Sequence, residues 1–392
     1  SSQDYDKEGH APPRPGVYLH SPPGTHMRQL LITAAEMISR SDFTAASRML
    51  TLLSASSSPY GDSTERLVHQ FTKALTLRLA GPGFFRVPTS VNPTAARDLQ
   101  SSYLALNQVT PFIRFSQLTA NQAILETIEG QHAIHIVDFD IMHGVQWPPL
   151  MQALAEKFPP PSLRITGTGS DLDILRRTGD RLAKFAHSLG LRFQFNPLII
   201  RDDEQNPQII FSSPAIILSP EETLAVNFNH YLHRHLRDRD ALRLFLRRIK
   251  SLGPAIISLA EREANHNHPI FHHRFVEALN HYGVVFDSLE ATLPPNSHDR
   301  YAVEQIWFGK EIADIVAAEG EVRRERHERF RSWDLMMRSC GFNNVALSPF
   351  AVSQAKLLLR LHYPSEGYQL HVFNDSLFLG WQNQPLFSVS SW

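Results

Sequence analysis

From Met27 onward the apolar residues fall into a helical rhythm. Met27, Leu30, Leu31, Ala34, Ala35 and Ile38 recur at i, i+3, i+4 and i+7, which places them in one stripe on one helix face. A second helix is predicted from Asp42, carrying Ala46, Met49, Leu50 and Leu53. A third opens at Asp62, where Glu65 follows three residues later in a capping-box-like pair, and Leu67, Phe71, Ala74 and Leu75 supply its apolar face. Gly81-Pro82-Gly83 to Pro93 interrupts the run. Tyr103 to Glu129 is helical again, with Pro111 marking a kink or a helix start.

At Ala133 the pattern changes. Ala133-Ile134-His135-Ile136-Val137-Asp138-Phe139 is short, mostly apolar and β-branched, as a strand buried on both faces requires. Further strands are predicted at Leu163–Thr166, Leu191–Phe195, Leu224–Phe228 and Ala255–Leu259. Helices between them cover Gln146–Lys157, Asp171–Ser188 and Asp238–Ser251. Strands alternating with helices imply a parallel sheet covered on both faces. Past Pro269 the pattern predicts a helix to about His281, a charged helical stretch from Val303 to Phe330, and short antiparallel strands from Lys356 to Trp392 with turns at Ser365-Glu366-Gly367 and Asn374-Asp375.

The expected architecture is therefore α/β, a doubly wound and mostly parallel sheet with an N-terminal helical cap and antiparallel C-terminal strands. Residues 1–24, rich in Pro, Gly and charge, form an expected flexible segment. Residues 25–130 form the cap. Residues 131–392 form the core, whose inserted helices at about 300–330 pack on the cap.

Charge changes the picture in one respect. The net charge is −1 and the pI about 7.1, so the chain lacks the basic balance with which dedicated DNA-binding domains neutralise phosphates. A single cysteine, Cys340, cannot form an internal disulfide, which fits a reducing compartment. Neither a signal peptide nor an apolar run of the ~18 residues that span a bilayer is found, so a soluble protein of cytosol or nucleus is expected.

In doubly wound sheets chemistry lies beyond the carboxyl ends of the strands, at the point where strand order reverses. The first strand ends in Asp138 and Asp140. With Gly144, Gln146 and Thr168 they are the candidates for a residual ligand pocket; the plainer reading makes the two carboxylates hydrogen-bond acceptors for loop amides. His266, His268, His272 and His273 crowd a helix start, with His230, His233 and His235 elsewhere. Only His268 and His272 have i, i+4 spacing, Pro269 intervenes and thiolates are scarce, so a helix cap and surface histidines are expected rather than a metal site.

Arg323-Arg324-Glu325-Arg326-His327-Glu328-Arg329 alternates in sign, as a solvated helix face does. Arg234, Arg237, Arg239, Arg243, Arg247, Arg248 and Lys250 are more uniformly basic. The last four of these are candidates for a nuclear-import or phosphate-facing patch, and Arg323 and Arg324 are basic candidates for a partner-docking or DNA-backbone surface. Of the N-terminal stripe, Met27, Leu30, Leu31, Ile38, Leu50 and Leu53 are core residues, or a partner-binding groove wherever they stay uncovered. Trp333, Trp381 and Trp392 are expected core anchors.

Ile134-His135-Ile136-Val137-Asp138 followed by His143-Gly144-Val145-Gln146-Trp147-Pro148 resembles the signature block of the GRAS family of plant regulators. Leu163-Arg164-Ile165-Thr166-Gly167, Phe286-Asp287-Ser288-Leu289-Glu290, Glu319-Gly320, Glu325-Arg326-His327-Glu328 and the tail Phe387-Ser388-Val389-Ser390-Ser391-Trp392 resemble its further blocks, over about Thr25 to the end. Ala264-Asn265-His266-Asn267-His268-Pro269 and Trp381-Gln382-Asn383-Gln384-Pro385 are most similar to its Lateral suppressor group. The resemblance implies a nuclear regulator of transcription in shoot branching and axillary meristem formation. It implies transcription factors and other GRAS proteins as partners, homo- or heterodimers, and mainly indirect contact with DNA. One departure is Lys310 before Glu311, where relatives often carry Arg; Lys lacks the bidentate geometry a buried salt bridge there would use.

The element order also resembles class I methyltransferases that use S-adenosylmethionine, which leaves methyl transfer or small-ligand binding as the alternative function. Those enzymes follow the first strand with a glycine-rich turn, because the backbone must approach the cofactor. Here Asp140 and Met142 stand where two of those glycines are expected. The second strand ends Gly167-Thr168-Gly169 without a ribose-binding acid, and Asp171 and Asp173 fall where they would cap the next helix. A non-enzyme without a cofactor is expected.

Overall fold

The computed structural model of the chain describes residues 23–82, 93–211 and 216–392. Most of the expected flexible segment and of the Gly81–Pro93 break lies outside them. Three helices open the structure: α1 (Pro23–Ser39), α2 (Phe43–Ser56) and α3 (Ser63–Ala80). The caps are those the sequence predicts, since the Asp42 carboxylate accepts from Ala45 N and the Asp62 carboxylate from Glu65 N. The periodic run around Pro111 divides into α4 (Pro93–Val109) and α5 (Arg114–Thr127), separated at Thr110–Ile113.

The sheet has eight strands in the order β3-β2-β1-β4-β5-β8-β7-β6. Strands β1 (Ala133–Phe139), β2 (Ser162–Gly169), β3 (Phe193–Ile199), β4 (Thr223–Asn229) and β5 (Ile256–Arg262) run parallel. β1 lies at the centre, every residue but the first buried, which is why it reads as an unbroken apolar run rather than an alternating one. The connecting helices are α6 (Trp147–Ala155), α7 (Leu172–Leu189) and α8 (Arg239–Ser251). Asp171 caps α7 by accepting from Asp173 N and Ile174 N. The last three strands, β6 (Tyr368–Phe373), β7 (Ser376–Trp381) and β8 (Gln384–Ser391), are antiparallel, and β8 pairs with β5 from Ser258↔Ser391 onward.

Between β5 and the terminal strands one helix outruns its predicted end near His281, reaching Thr292, and two segments differ from the predicted pattern in kind. After α9 (Phe271–Thr292), the short α10 (His298–Ala302), a π-helical turn at Val303–Phe308 and α11 (Gly309–Ala317), regular helix gives way to an irregular course through Arg323–Arg329 before α12 (Phe330–Ser339). The predicted charged helix thus ends near Ala317. Its charged residues are held mainly by partners that i, i+4 spacing would not supply, although Arg323 still lies 3.8 Å from Glu319, four residues before it. Asp314 accepts from Arg324 N at 2.9 Å and Glu325 N at 2.7 Å, and the Arg326 guanidinium donates to Gly320 O and Asn267 Oδ1.

Secondly, Lys356–His362 is not strand but the end of α13 (Pro349–His362). Ser348 caps this helix, Pro349 opens it, and Ala351, Ala355, Leu358 and Leu359 give it a buried 3.6-residue stripe.

The cap is not a separate body. Leu31, Leu50, Leu53 and Phe71 share one continuous core with Phe275 and Phe286 of α9, Ile312 of α11 and Leu379 and Phe387 of the terminal strands. Phe112 stacks on Phe387 with ring centroids 4.9 Å apart. Arg66 of α3 reaches the fully buried Glu304 of the π-helical turn at 2.7 Å. The insertion at residues 303–317 therefore packs on the cap.

Candidate functional site at the carboxyl ends of the strands

Strand order reverses between β1 and β4, so the place for a ligand is beyond Asp138 and Asn227. Asp138 is buried and already engaged. Its Oδ2 accepts from the Trp147 indole at 2.8 Å and its Oδ1 from Asn227 Nδ2 at 2.9 Å. Asn227 also donates to Gln146 Oε1 at 3.0 Å, and Asn121 donates to the Gln146 carbonyl at 2.8 Å. One polar relay therefore ties α5, the start of α6, β4 and β1, and Gln146 belongs to it rather than to a pocket wall. Burial pushes the Asp138 carboxyl up to about 7, against the lowering effect of hydrogen bonds from Asn227 and Trp147.

The loop after β1 does what its residues imply. Asp140, Met142 and Gly144 all adopt the left-handed conformation, with φ of 61°, 52° and 66°. Asp and Met thus occupy backbone positions that glycine would take without strain. Thr168 Oγ1 accepts from Asp140 N at 2.7 Å, and Thr178 donates to Met142 O at 2.6 Å, which holds the coil in place. Ile141 folds back onto β2, where a Cβ on Gly167 would stand 2.8 Å from its Cγ2. From the other side Tyr103 of the cap lies 6.2 Å from the His143 ring and 5.1 Å from Trp307.

What remains is a cavity of about 20 Å³ lined by Asp140, Thr168, Tyr231, Arg234, His235 and Arg324. Arg234 closes it, with its guanidinium 2.7 Å from Asp140 Oδ2. Such a space admits about one water, whereas sites for drug-sized ligands measure roughly 300–1,000 Å³. A larger hollow of about 360 Å³ opens elsewhere, between α13 and β6, lined by Lys356, Leu359, Arg360, Tyr368 and Leu370. Of the five pocket candidates, Asp140 and Thr168 face the small cavity, Asp138 and Gln146 are locked in the relay, and Gly144 turns the loop against Thr178. Sequence reading missed Trp147, Asn227 and Arg234. Only the position of Asn227, at the end of the fourth strand, hints at its role.

The surface candidates divide similarly. Leu31, Ile38, Leu50 and Leu53 are buried and Met27 and Leu30 half-buried against the same core, so the stripe holds the cap together; Phe43 and Leu52 are the exposed apolar side chains of α2. Arg247, Arg248 and Lys250 are exposed on α8, while Arg243 is half-buried and paired with Asp240 at 3.0 Å. Arg323 is buried and donates to His266 O, which removes it from any basic surface, and Arg324 is half-buried.

The histidines require a further correction. His233, His235, His266 and His327 are buried, not on the surface, because carboxylates and other rings distant in sequence, and for His235 the nearby Tyr231, supply their partners. The buried salt bridge at Glu311 exists, but its cation is Arg262 of β5, whose Nη2 donates to both carboxylate oxygens at 2.6 and 2.9 Å, while Lys310 is exposed. Among the described residues no helix is long and apolar enough to cross a membrane.

Comparison with known proteins accords with this geometry. The GRAS domain family matches residues 27–392. Scarecrow-like protein 18 of Arabidopsis thaliana is 52% identical, over 93% of this chain and 91% of its own length. Protein MONOCULM 1 of Oryza sativa is 43% identical, over 93% and 88%. The crystal structure of SCL7 from Oryza sativa superposes with a TM-score of 0.77 at 36% identity, over 93% of this chain and 99% of that one.

Proposed function

Since the chain belongs to the GRAS domain family of plant regulators, we propose that it regulates transcription in the nucleus through protein partners, in shoot branching and axillary meristem formation. Similarity to MONOCULM 1 and to the Lateral suppressor group supports the developmental role. The observation that carries the mode of action is the closed switch point. The relay Asn121–Gln146–Asn227–Asp138–Trp147 and the Asp140–Arg234 pair fill the place where an enzyme of this architecture holds its cofactor. Methyl transfer is disfavoured by the same side chains. The α/β core acts as a rigid scaffold whose outer surface meets transcription factors and other GRAS proteins. Contact with DNA is mainly indirect, in keeping with a net charge of −1. The exposed Arg247, Arg248 and Lys250 of α8 serve nuclear import.

Tethering the full chain to a reporter promoter through a foreign DNA-binding domain tests this reading. A several-fold change in reporter output supports it. An unchanged reporter, or discrimination among DNA sites by the untethered chain alone, would overturn it.

A further inference from the structure

Beyond that reading, a second convergence lies at the carboxyl ends of β4 and β5. His233 sits on the 3₁₀ turn Leu232–His235 that follows β4, and Glu261 lies in β5. Glu325 and His327 come from the irregular segment before α12. His233 Nε2 and His327 Nε2 approach the same oxygen, Glu325 Oε2, at 2.9 and 3.0 Å. One nitrogen or oxygen from each of His233, Glu325 and His327 lies within 4.8 Å of the others. The two histidine side chains are 3% and 2% exposed, and that of Glu325 is 19% exposed, which gives the cluster its opening to solvent.

The outer nitrogens of both rings are held as well. His233 Nδ1 lies 2.8 Å from Glu261 Oε2, and His327 Nδ1 lies 2.8 Å from His266 Nδ1. His266 is fully buried, and its Nε2 has no hydrogen-bond partner. This outer shell suits a metal-binding imidazole: once an ion displaces the Nε2 protons that now face Glu325, each ring keeps a proton on Nδ1, where a carboxylate or ring nitrogen accepts it. The backbone is fixed too, with Glu325 N donating to Asp314 at 2.7 Å.

We propose that His233, Glu325 and His327 form a binding site for a zinc ion, which fastens the 323–329 segment to the ends of β4 and β5. Two imidazoles and one carboxylate are a zinc-competent ligand set that leaves a fourth position for water. Bonds of ~2.0–2.2 Å space tetrahedral ligands about 3.4 Å apart, so the Glu325 oxygen withdraws by a few tenths of an ångström. The ion replaces a proton shared within the cluster, and its charge balances Glu261 and Glu325. Cys340 takes no part, since it is buried among α8 and α12 residues.

The test is zinc titration of the full metal-free chain by calorimetry, with bound metal counted by mass spectrometry after dialysis. One zinc per chain is expected. Affinity should fall at least tenfold in Glu325→Gln and in His327→Gln, and stay unchanged in His273→Gln, an exposed histidine. Equal zinc uptake by all three variants, or none by the folded wild type, would overturn the proposal. Circular dichroism reports whether each variant folds. Should the two ligand variants not fold, X-ray absorption of the wild-type zinc complex decides. Two imidazoles with oxygen ligands support the site, and any other histidine count or a sulfur ligand contradicts it.

Discussion

The indole N–H of Trp147 donates to Asp138 Oδ2 across 2.8 Å, and both side chains are buried where the sheet changes direction. This bond joins the start of α6 to the end of β1. Trp147→Phe removes the donor and leaves a buried carboxylate oxygen unsatisfied. A loss of ~1–3 kcal/mol is expected in urea denaturation from that bond, before any loss of packing. An unchanged midpoint would mean the bond is not part of the scaffold.

Asp138 also sets a pH dependence. Its folded-state value of about 7 lies above its ordinary 3.8, so between those values the folded chain holds a proton that the unfolded chain releases. Stability from this group is full below about pH 4 and is lost as pH rises toward 7. Glu263, raised by burial from 4.5 to about 7, acts in the same sense. Asp138→Asn should flatten the fall in urea midpoint between pH 5 and 7.5 without abolishing it. An identical slope in variant and wild type contradicts the assignment.

Arg262 is a buried cation of the core. It pairs with Glu311 through two bonds and lies within 4.9–5.5 Å of the ring centroids of Phe387, Tyr282 and Phe308. Arg262→Ala strands Glu311 without its charge partner and should cost ~3–5 kcal/mol. Thermal unfolding followed by circular dichroism checks it, and a shift of under one degree would contradict it.

At the carboxyl terminus Trp392 is 6% exposed, and its indole donates to Ser390 at 2.8 Å. Trp392→Ala should cost ~3–5 kcal/mol through the cavity it opens beside Phe330. A wild-type melting curve would show that β8 does not depend on this anchor.

The sequence made the strands legible because β1, β4 and β5 are buried on both faces and their composition shows it. It made the first three helices legible because each has one apolar stripe and two carry an aspartate cap. The 323–329 segment was opaque for a physical reason. Alternating charge looks the same whether partners stand four residues along a helix or arrive from Asp314, Asn267 and His233. The buried histidines were hidden likewise, since the acceptors of His233 lie 28 and 92 residues away. At the switch point Asp138 and Asp140 were visible, and the left-handed backbone at Asp140 and Met142 agrees with the missing glycines. Arg234, which closes the cavity, reads in sequence only as one of several basic residues.

The closed switch point is tested most directly by titrating S-adenosylmethionine and S-adenosylhomocysteine into the full chain, with thermal unfolding and calorimetry as readouts. A ligand at ~100 times its dissociation constant adds about 2.7 kcal/mol, enough to raise the melting temperature of a chain this size by a couple of degrees or more. The filled loop and the Asp140–Arg234 pair predict no shift and no heat of binding into the millimolar range. A saturable shift with matching calorimetric binding would contradict the account, because the crevice would then open to a nucleoside-sized ligand.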